Sequence, residues 1–225
     1  MQISLFSSVL WMLTIGLLTA APIAKSDLTP VKKWIASQAG MKSLSADFVQ
    51  TRTFRTLRDP LERQGHIWFQ SPDAFRWELG SPPTQIVLRY EDEMALIEPK
   101  KKRAQRLDPA TTAKQSGRPN LAMMEFPLAT DFAEFEREFE ILDIRIEGTH
   151  CTLNLLPRDP EARKMVRDIQ LDFDSTSHHL LAFEITFRDG SSLRNAFSNT
   201  QINTPIDPNV FGYDLTGYTV RDADP

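Results

Sequence analysis

Residues 181–202, LAFEITFRDGSSLRNAFSNTQI, decide the fold class. Leu181, Phe183, Ile185 and Phe187 alternate with Ala182, Glu184, Thr186 and Arg188, the period of a strand with one apolar and one polar face. Asp189-Gly190 follows, a dipeptide whose residues both tolerate positive φ and which therefore reads as a hairpin turn. Residues 191–202 are the expected return strand. Strands joined by so short a turn are antiparallel.

The same period extends in both directions. Upstream, Ile169, Leu171 and Phe173 alternate with Gln170, Asp172 and Asp174, and Cys151, Leu153 and Leu155 with Thr152 and Asn154. Residues 139–146 continue it with one slip of phase, the mark of a β-bulge. Nearer the N-terminus, Phe48, Gln50, Arg52 and Phe54 share a strand face, residues 64–70 form another strand, and Phe75, Trp77 and Leu79 oppose Arg76 and Glu78. Ile86, Leu88 and Tyr90 alternate, and residues 93–98 make a short strand ending at Pro99. Nine or more such strands, each with one wet face, must curl to cover the other.

Two stretches are helical. Thr29 reads as an N-cap before Pro30, with Val31, Trp34 and Ile35 on one face, Lys32 and Lys33 on the other, and Gly40 as the stop. Residues 120–137 read as one or two short helices: Leu121, Met124 and Leu128 form a stripe, and Phe132 and Phe135 follow a Thr130-Asp131 cap. The expected class is mainly β, with an α+β complement.

Leu5 to Leu18 is an uncharged, mostly apolar run of signal-peptide length, followed by small residues and an Ala24-Lys25-Ser26 cleavage site. Residues 1–26 are expected to be an export signal and residues 27–225 a single domain. Cys151 is the only cysteine, so it forms no intramolecular disulfide and reads as a small buried apolar group. No cysteine lies near the export signal, so the exported chain is expected to move freely, without an N-terminal lipid anchor.

A net charge of -4 gives no broad electrostatic reason for nucleic-acid binding. No nucleophile elbow, P-loop, dinucleotide fingerprint or zinc-protease motif is present, so no catalytic residue and no cofactor is assigned. His178-His179 reads as a solvated turn and not as a metal site. Asp172-Phe-Asp174-Ser-Thr176 imitates a calcium loop, but it lacks the glycine at position six and has Phe183 where a bidentate Glu belongs. Glu134, Glu136, Glu138 and Glu140 read as an exposed face. Lys100 to Arg103 reads as a solvated loop, with a docking patch for an acidic partner or lipid head group as the alternative. Trp68, Phe75, Trp77, Met94, Met123, Met124 and Phe126 are large, soft apolar groups. They form either ordinary core or an adaptable surface for flexible chains, and periodicity does not separate the two.

Three motifs in order carry a resemblance. Leu44-Ser-Ala-Asp-Phe48-Val-Gln50 resembles the opening F-x-Q strand of the LolA family of outer-membrane lipoprotein carriers. Gly65-His-Ile-Trp68-Phe, Pro72, Phe75-Arg-Trp77 and Pro82 resemble its G-x-L-W … P-x-x-F-x-W … P run. Phe197-Ser-Asn199, Asn203 and Ile206-Asp-Pro-Asn-Val-Phe211 resemble its closing segment. The resemblance spans residues 27–220. It implies an incomplete antiparallel β-barrel with short helices closing the concave side, which holds lipoprotein acyl chains in a hydrophobic cavity. It also implies a periplasmic, monomeric carrier that binds no nucleic acid, is loaded by an inner-membrane ABC transporter and delivers to an outer-membrane receptor.

The cavity and lid residues expected on this basis are Phe48, Trp68, Phe75, Trp77, Leu88, Met94, Leu121, Met123, Met124 and Phe126, with 120–135 as the lid. A carrier of another lipid serving a lipid exporter, a lipoprotein-sensing regulatory module and a hydrolase are the other readings. One departure stands out: Ser71 replaces the family arginine that contacts the lid, so either Arg76 or another basic residue substitutes, or the lid is held differently.

Overall fold

The computed structural model describes residues 27–91, 93–107 and 131–222. The expected export signal, and Leu121, Met123, Met124 and Phe126 of the expected lid, lie outside them.

The first half runs α1 (Thr29–Gln38), β1 (Ser43–Thr53), β2 (Leu61–Gln70), β3 (Ala74–Leu79), β4 (Gln85–Tyr90), β5 (Glu93–Glu98) and β6 (Arg103–Leu107). The second half runs α2 (Phe132–Glu138), β7 (Phe139–Glu147), β8 (His150–Pro157), α3 (Pro160–Met165), β9 (Val166–Asp174), β10 (Leu180–Phe187), β11 (Ser192–Ile202) and β12 (Thr219–Arg221). All strands join one sheet in the order β12-β6-β5-β4-β3-β2-β1-β11-β10-β9-β8-β7. Each pairing is antiparallel except β12 with β6. β1 and β11 at the centre join the two halves, and β7 and β12 are free edges, so the barrel is open.

Local chemistry explains the elements. Asp131 caps α2 by accepting the Glu134 N–H at 2.9 Å, as the Thr130-Asp131 signal anticipates. α1 is capped from outside its first turn, the Asp27 carboxylate accepting the Thr29 N–H at 2.9 Å, so the cap lies earlier than Thr29. The bulge expected in 139–146 falls between Ile141 and Asp143.

The turn after β10 differs from expectation. Only Gly190 has positive φ, and the loop closes with Gly190 N–H on Phe187 O and Phe187 N–H on Ser191 O. This is the three-residue hairpin in which glycine forms the bulge, not a two-residue primed turn. A register shift between Leu180 and Ala182 also brings Leu180, not Leu181, against the core.

One face of the sheet, the inner face, carries the main apolar cluster, which runs from Met94 and Leu107 through Trp77 and Phe48 to Phe183, Leu171 and Leu153. Helices α1 and α2 lie on it. Trp34 stacks on Phe173 at 4.9 Å between ring centroids, and Phe135 packs on Phe139 at 5.3 Å. Cys151 is fully buried there, and burial raises its thiol pKa, as expected of an inert apolar filler.

The outer face is not uniformly wet. The segment after β11 folds back across β3 and β4, and Tyr213, Leu215 and Tyr218 cover Ile86, Ile97 and Ala104. Arg76 fastens this strap by donating from Nη1 to the carbonyl oxygens of Val210 (2.8 Å) and Gly212 (3.0 Å). Its Nε meets Glu78 Oε1 at 2.7 Å. Arg76 is therefore committed to the outer face of the sheet. The inner-face strand position between Phe75 and Met94 is occupied by Arg89. Its Nε is buried without a hydrogen-bond partner, and Nη2 lies 3.5 Å from Asp73 Oδ2.

Candidate functional site: an apolar recess on the inner face

At the end of the inner face where β1 begins and β11 ends, the side chains do not meet. They leave a recess of about 50 Å3, partly open to solvent. Its walls come from elements that alternation phases inward: Leu44 and Ala46 on β1, Ile67 on β2, Trp77 on β3, Leu180 and Phe183 on β10, Phe197 and Ile202 on β11. Met41 closes the α1 side. The polar members, Gln38, Thr200 and His178, belong to the end of α1, to β11 and to the β9–β10 turn. Gln38 holds its place by donating to Trp34 O at 3.1 Å, and His178 stands at φ +58. The apolar lining of the recess, with few polar groups, suits hydrocarbon, but about 50 Å3 is well below the roughly 300–1,000 Å3 of small-molecule sites, so a whole acyl chain requires the recess to widen.

Aromatic rings bound the recess. Phe48 lies 4.0 Å from Trp77 and 6.2 Å from Phe197, which is 5.9 Å from Phe183. Two residues along β1, the fully buried Asn195 amide accepts from Gln50 Nε2 at 3.3 Å while its own Nδ2 has no partner.

The motif asparagines show why they occupy their positions. Asn199 and Asn203 have φ of +52 and +58, which Asn tolerates better than most residues. Asn199 donates to Asp47 Oδ2 (2.8 Å), and Asn203 Oδ1 accepts the Lys42 N–H (2.7 Å), so both tie the end of β11 to β1.

Of the expected cavity residues, Trp77 lines the recess and Phe48 backs it. Phe75 and Met94 are buried on the same face, beside Arg89. Trp68 and Leu88 are corrections. Trp68 pairs with Ser45 and Arg76, and Leu88 with Arg76 and Ala95, so both stand on the outer face. There Trp68 lies 3.9 Å from the His66 ring. Sequence reasoning missed Ile67, Phe183 and Phe197 as wall residues, although period two counted from Trp77 and Phe48 across the ladder reaches each of them. It also missed Met41 and the polar group of Gln38, His178 and Thr200, because loop and helix-end residues carry no strand phase.

On the outer face, His66 Nδ1 meets Asp47 Oδ1 at 2.6 Å and His66 Nε2 meets Ser45 Oγ at 2.8 Å. Hydrogen bonds from Asn199 and then His66 lower the Asp47 pKa. The connectivity is that of a serine–histidine–aspartate relay. Ser45, however, sits within the ladder between Trp68 and Gln201, and the adjoining recess is bounded by Asp47, Gln64, His66 and Glu78, without Ser45. The network ties β1, β2 and β11 together.

An open antiparallel sheet with helices over its apolar inner face defines the class: a mainly β half-barrel. The family model described as outer membrane lipoprotein carrier protein LolA matches residues 39–214, and the chain belongs to this family. An outer-membrane lipoprotein carrier protein from Chromohalobacter salexigens is 25% identical over 206 residues, covering 91% of this chain and 92% of the relative. One from Chromobacterium violaceum is 24% identical over 209 residues, covering 90% and 91%. The solved structure of an uncharacterized conserved protein from Thermus thermophilus shares the fold, with a TM-score of 0.54 at 10% identity, covering 88% of this chain and 100% of that one. Among the described residues no helix is long and apolar enough to cross a membrane.

Proposed function

We propose that this protein carries the acyl chains of lipid-modified proteins in the inner-face recess, moving them through the periplasm from the inner to the outer membrane. The observation that carries the reading is the recess itself, an apolar space walled by Ile67, Trp77, Phe183 and Phe197 with polar groups from Gln38, His178 and Thr200. Family membership supports it. Shielding ten methylenes from water is worth about 8 kcal/mol, enough to hold a chain that would otherwise enter the nearest bilayer. Binding of this kind needs no covalent step, so the protein acts as a carrier and not as a catalyst. Residues 1–26 serve as a cleaved export signal. An inner-membrane ABC transporter loads the carrier and an outer-membrane receptor unloads it.

The test is mass spectrometry of material co-purifying with the exported protein, combined with displacement by a fluorescent fatty acid. Acylated peptide in the bound fraction, displaced by the probe, is the expected result. A free lipid as the sole occupant would assign the recess to another lipid cargo. A recess that neither yields lipid nor binds the probe would overturn the reading.

A further inference from the structure

We propose that the tip of the β1–β2 hairpin docks this protein on an anionic phospholipid surface. On one side the hairpin outruns its neighbour, since the last β2 residue paired with β3 is Gly65 and residues 61–64 extend beyond that ladder; on the other, β1 stays paired with β11 as far as Thr53. Every residue from 55 to 64 is exposed. Leu57 and Leu61, 46% and 47% exposed, stand on this tip, and Val49, 39% exposed, lies on the same hairpin.

Charge accompanies the leucines. Arg52, Arg55, Arg58 and Arg63 outnumber Asp59 and Glu62 here, giving a local net charge of +2 (4 − 2) in a chain whose net charge is -4. The Arg52 guanidinium lies 5.2 Å from the Phe54 ring, and the Arg55 stem packs where Gly190 lacks a side chain. Among the ion pairs of the described residues, none engages Arg58 or Arg63. Exposed leucines interleaved with Arg58 and Arg63 on an exposed turn suit a bilayer surface, where the leucines enter the acyl boundary and the arginines meet phosphate.

Two other exposed patches among the described residues lack one half of this pattern. In the loop after β5, Lys101 and Arg103 are tied to Glu98 at 2.5 and 3.0 Å. Leu142 and Ile146 on β7 are flanked by Asp143 and Glu147.

Docking of the tip is independent of what occupies the recess, and the two are separable by experiment. The purified protein is sedimented with vesicles of phosphatidylglycerol and phosphatidylethanolamine, and separately with phosphatidylcholine alone. Binding to the first, little to the second, and weakening with added salt is expected. The double variant Leu57→Ser with Arg58→Glu alters only exposed side chains, so its unfolding midpoint and fatty-acid binding should be unchanged. Its vesicle affinity should fall at least about fivefold, the loss expected for one arginine at an anionic surface. A solvent-sensitive fluorophore on Leu57→Cys, which the buried Cys151 leaves as the accessible thiol, should shift to the blue on the anionic vesicles. No vesicle binding, equal binding to phosphatidylcholine, or undiminished binding by the double variant would overturn the proposal. So would a variant that keeps vesicle binding and loses only an acidic protein partner.

Discussion

The ring of Phe48 occupies the space left by the missing side chain of Gly65, its partner across the β1–β2 ladder. A Cβ on Gly65 would fall 2.1 Å from Phe48 Cζ and 2.4 Å from the Glu78 carbonyl oxygen. The clash with backbone has no flexible end to yield, and Phe48 is itself pinned by Trp77 at 4.0 Å. Gly65→Ala should therefore cost about 2–3 kcal/mol by overpacking. Urea unfolding should show a lower midpoint at unchanged slope, and a midpoint equal to that of the parent would refute the close approach.

Phe197 is only partly buried and lines the recess, whereas Phe75 is buried away from it. Phe197→Glu should weaken fatty-acid binding at least about tenfold while the domain still folds, because a carboxylate then faces the apolar space. Phe75→Glu should chiefly destabilise the fold. The two variants are compared by probe fluorescence and thermal unfolding; normal binding by Phe197→Glu would remove this wall from the site.

The outer strap depends on Arg76. Its side chain is 13% exposed and that of its partner Glu78 17%, so Arg76→Ala deprives a largely desolvated carboxylate of its counter-ion and the strap of two donated hydrogen bonds. A loss of about 3 kcal/mol is expected, with faster amide exchange across residues 208–221. Exchange by hydrogen–deuterium mass spectrometry that is unaltered there would show that Tyr213, Leu215 and Tyr218 hold the strap unaided.

Asp172 sets an acid limit on stability. Burial alone would raise its pKa, but hydrogen bonds from Thr152, Arg194 and Gln170 outweigh it, and the net shift is downward from 3.8. A folded-state pKa below the unfolded one means stability that is complete above about pH 4 and is lost as pH falls through the folded value. Arg194→Leu should remove part of the compensation, lift the Asp172 pKa and move the acid transition to higher pH. Unfolding midpoints measured from pH 2 to 7 check this, and an acid limb unmoved by Arg194→Leu would count against it.

Much of this molecule is readable from residue order alone, for a definite reason. Strand period depends on which residues are apolar, so the β8 and β9 stripes, the β10 stripe from Phe183 onward, the slip of phase in β7 and the helix capped by Asp131 all emerge in the right places. Period two also shows that Arg76 opposes Phe75 and Trp77. What it cannot reveal is which face of a strand turns inward when both faces are covered. From β4 to β6 the outer side is roofed by Tyr213, Leu215 and Tyr218, more than a hundred residues along the chain from Ile86 and Ile97. Apolar residues therefore occur there in both phases, and sequence reasoning puts Leu88 in the wrong one, as it does Trp68 on β2. The recess has the same origin. Its walls come from β1, β2, β3, β10 and β11, and only the pairing of β1 with β11 brings Phe48, Trp77, Phe183 and Phe197 around one space. Local sequence determines the phase of each strand. The long-range ladder determines which phases face one another, because only pairing in space decides where side chains meet and where they leave a gap.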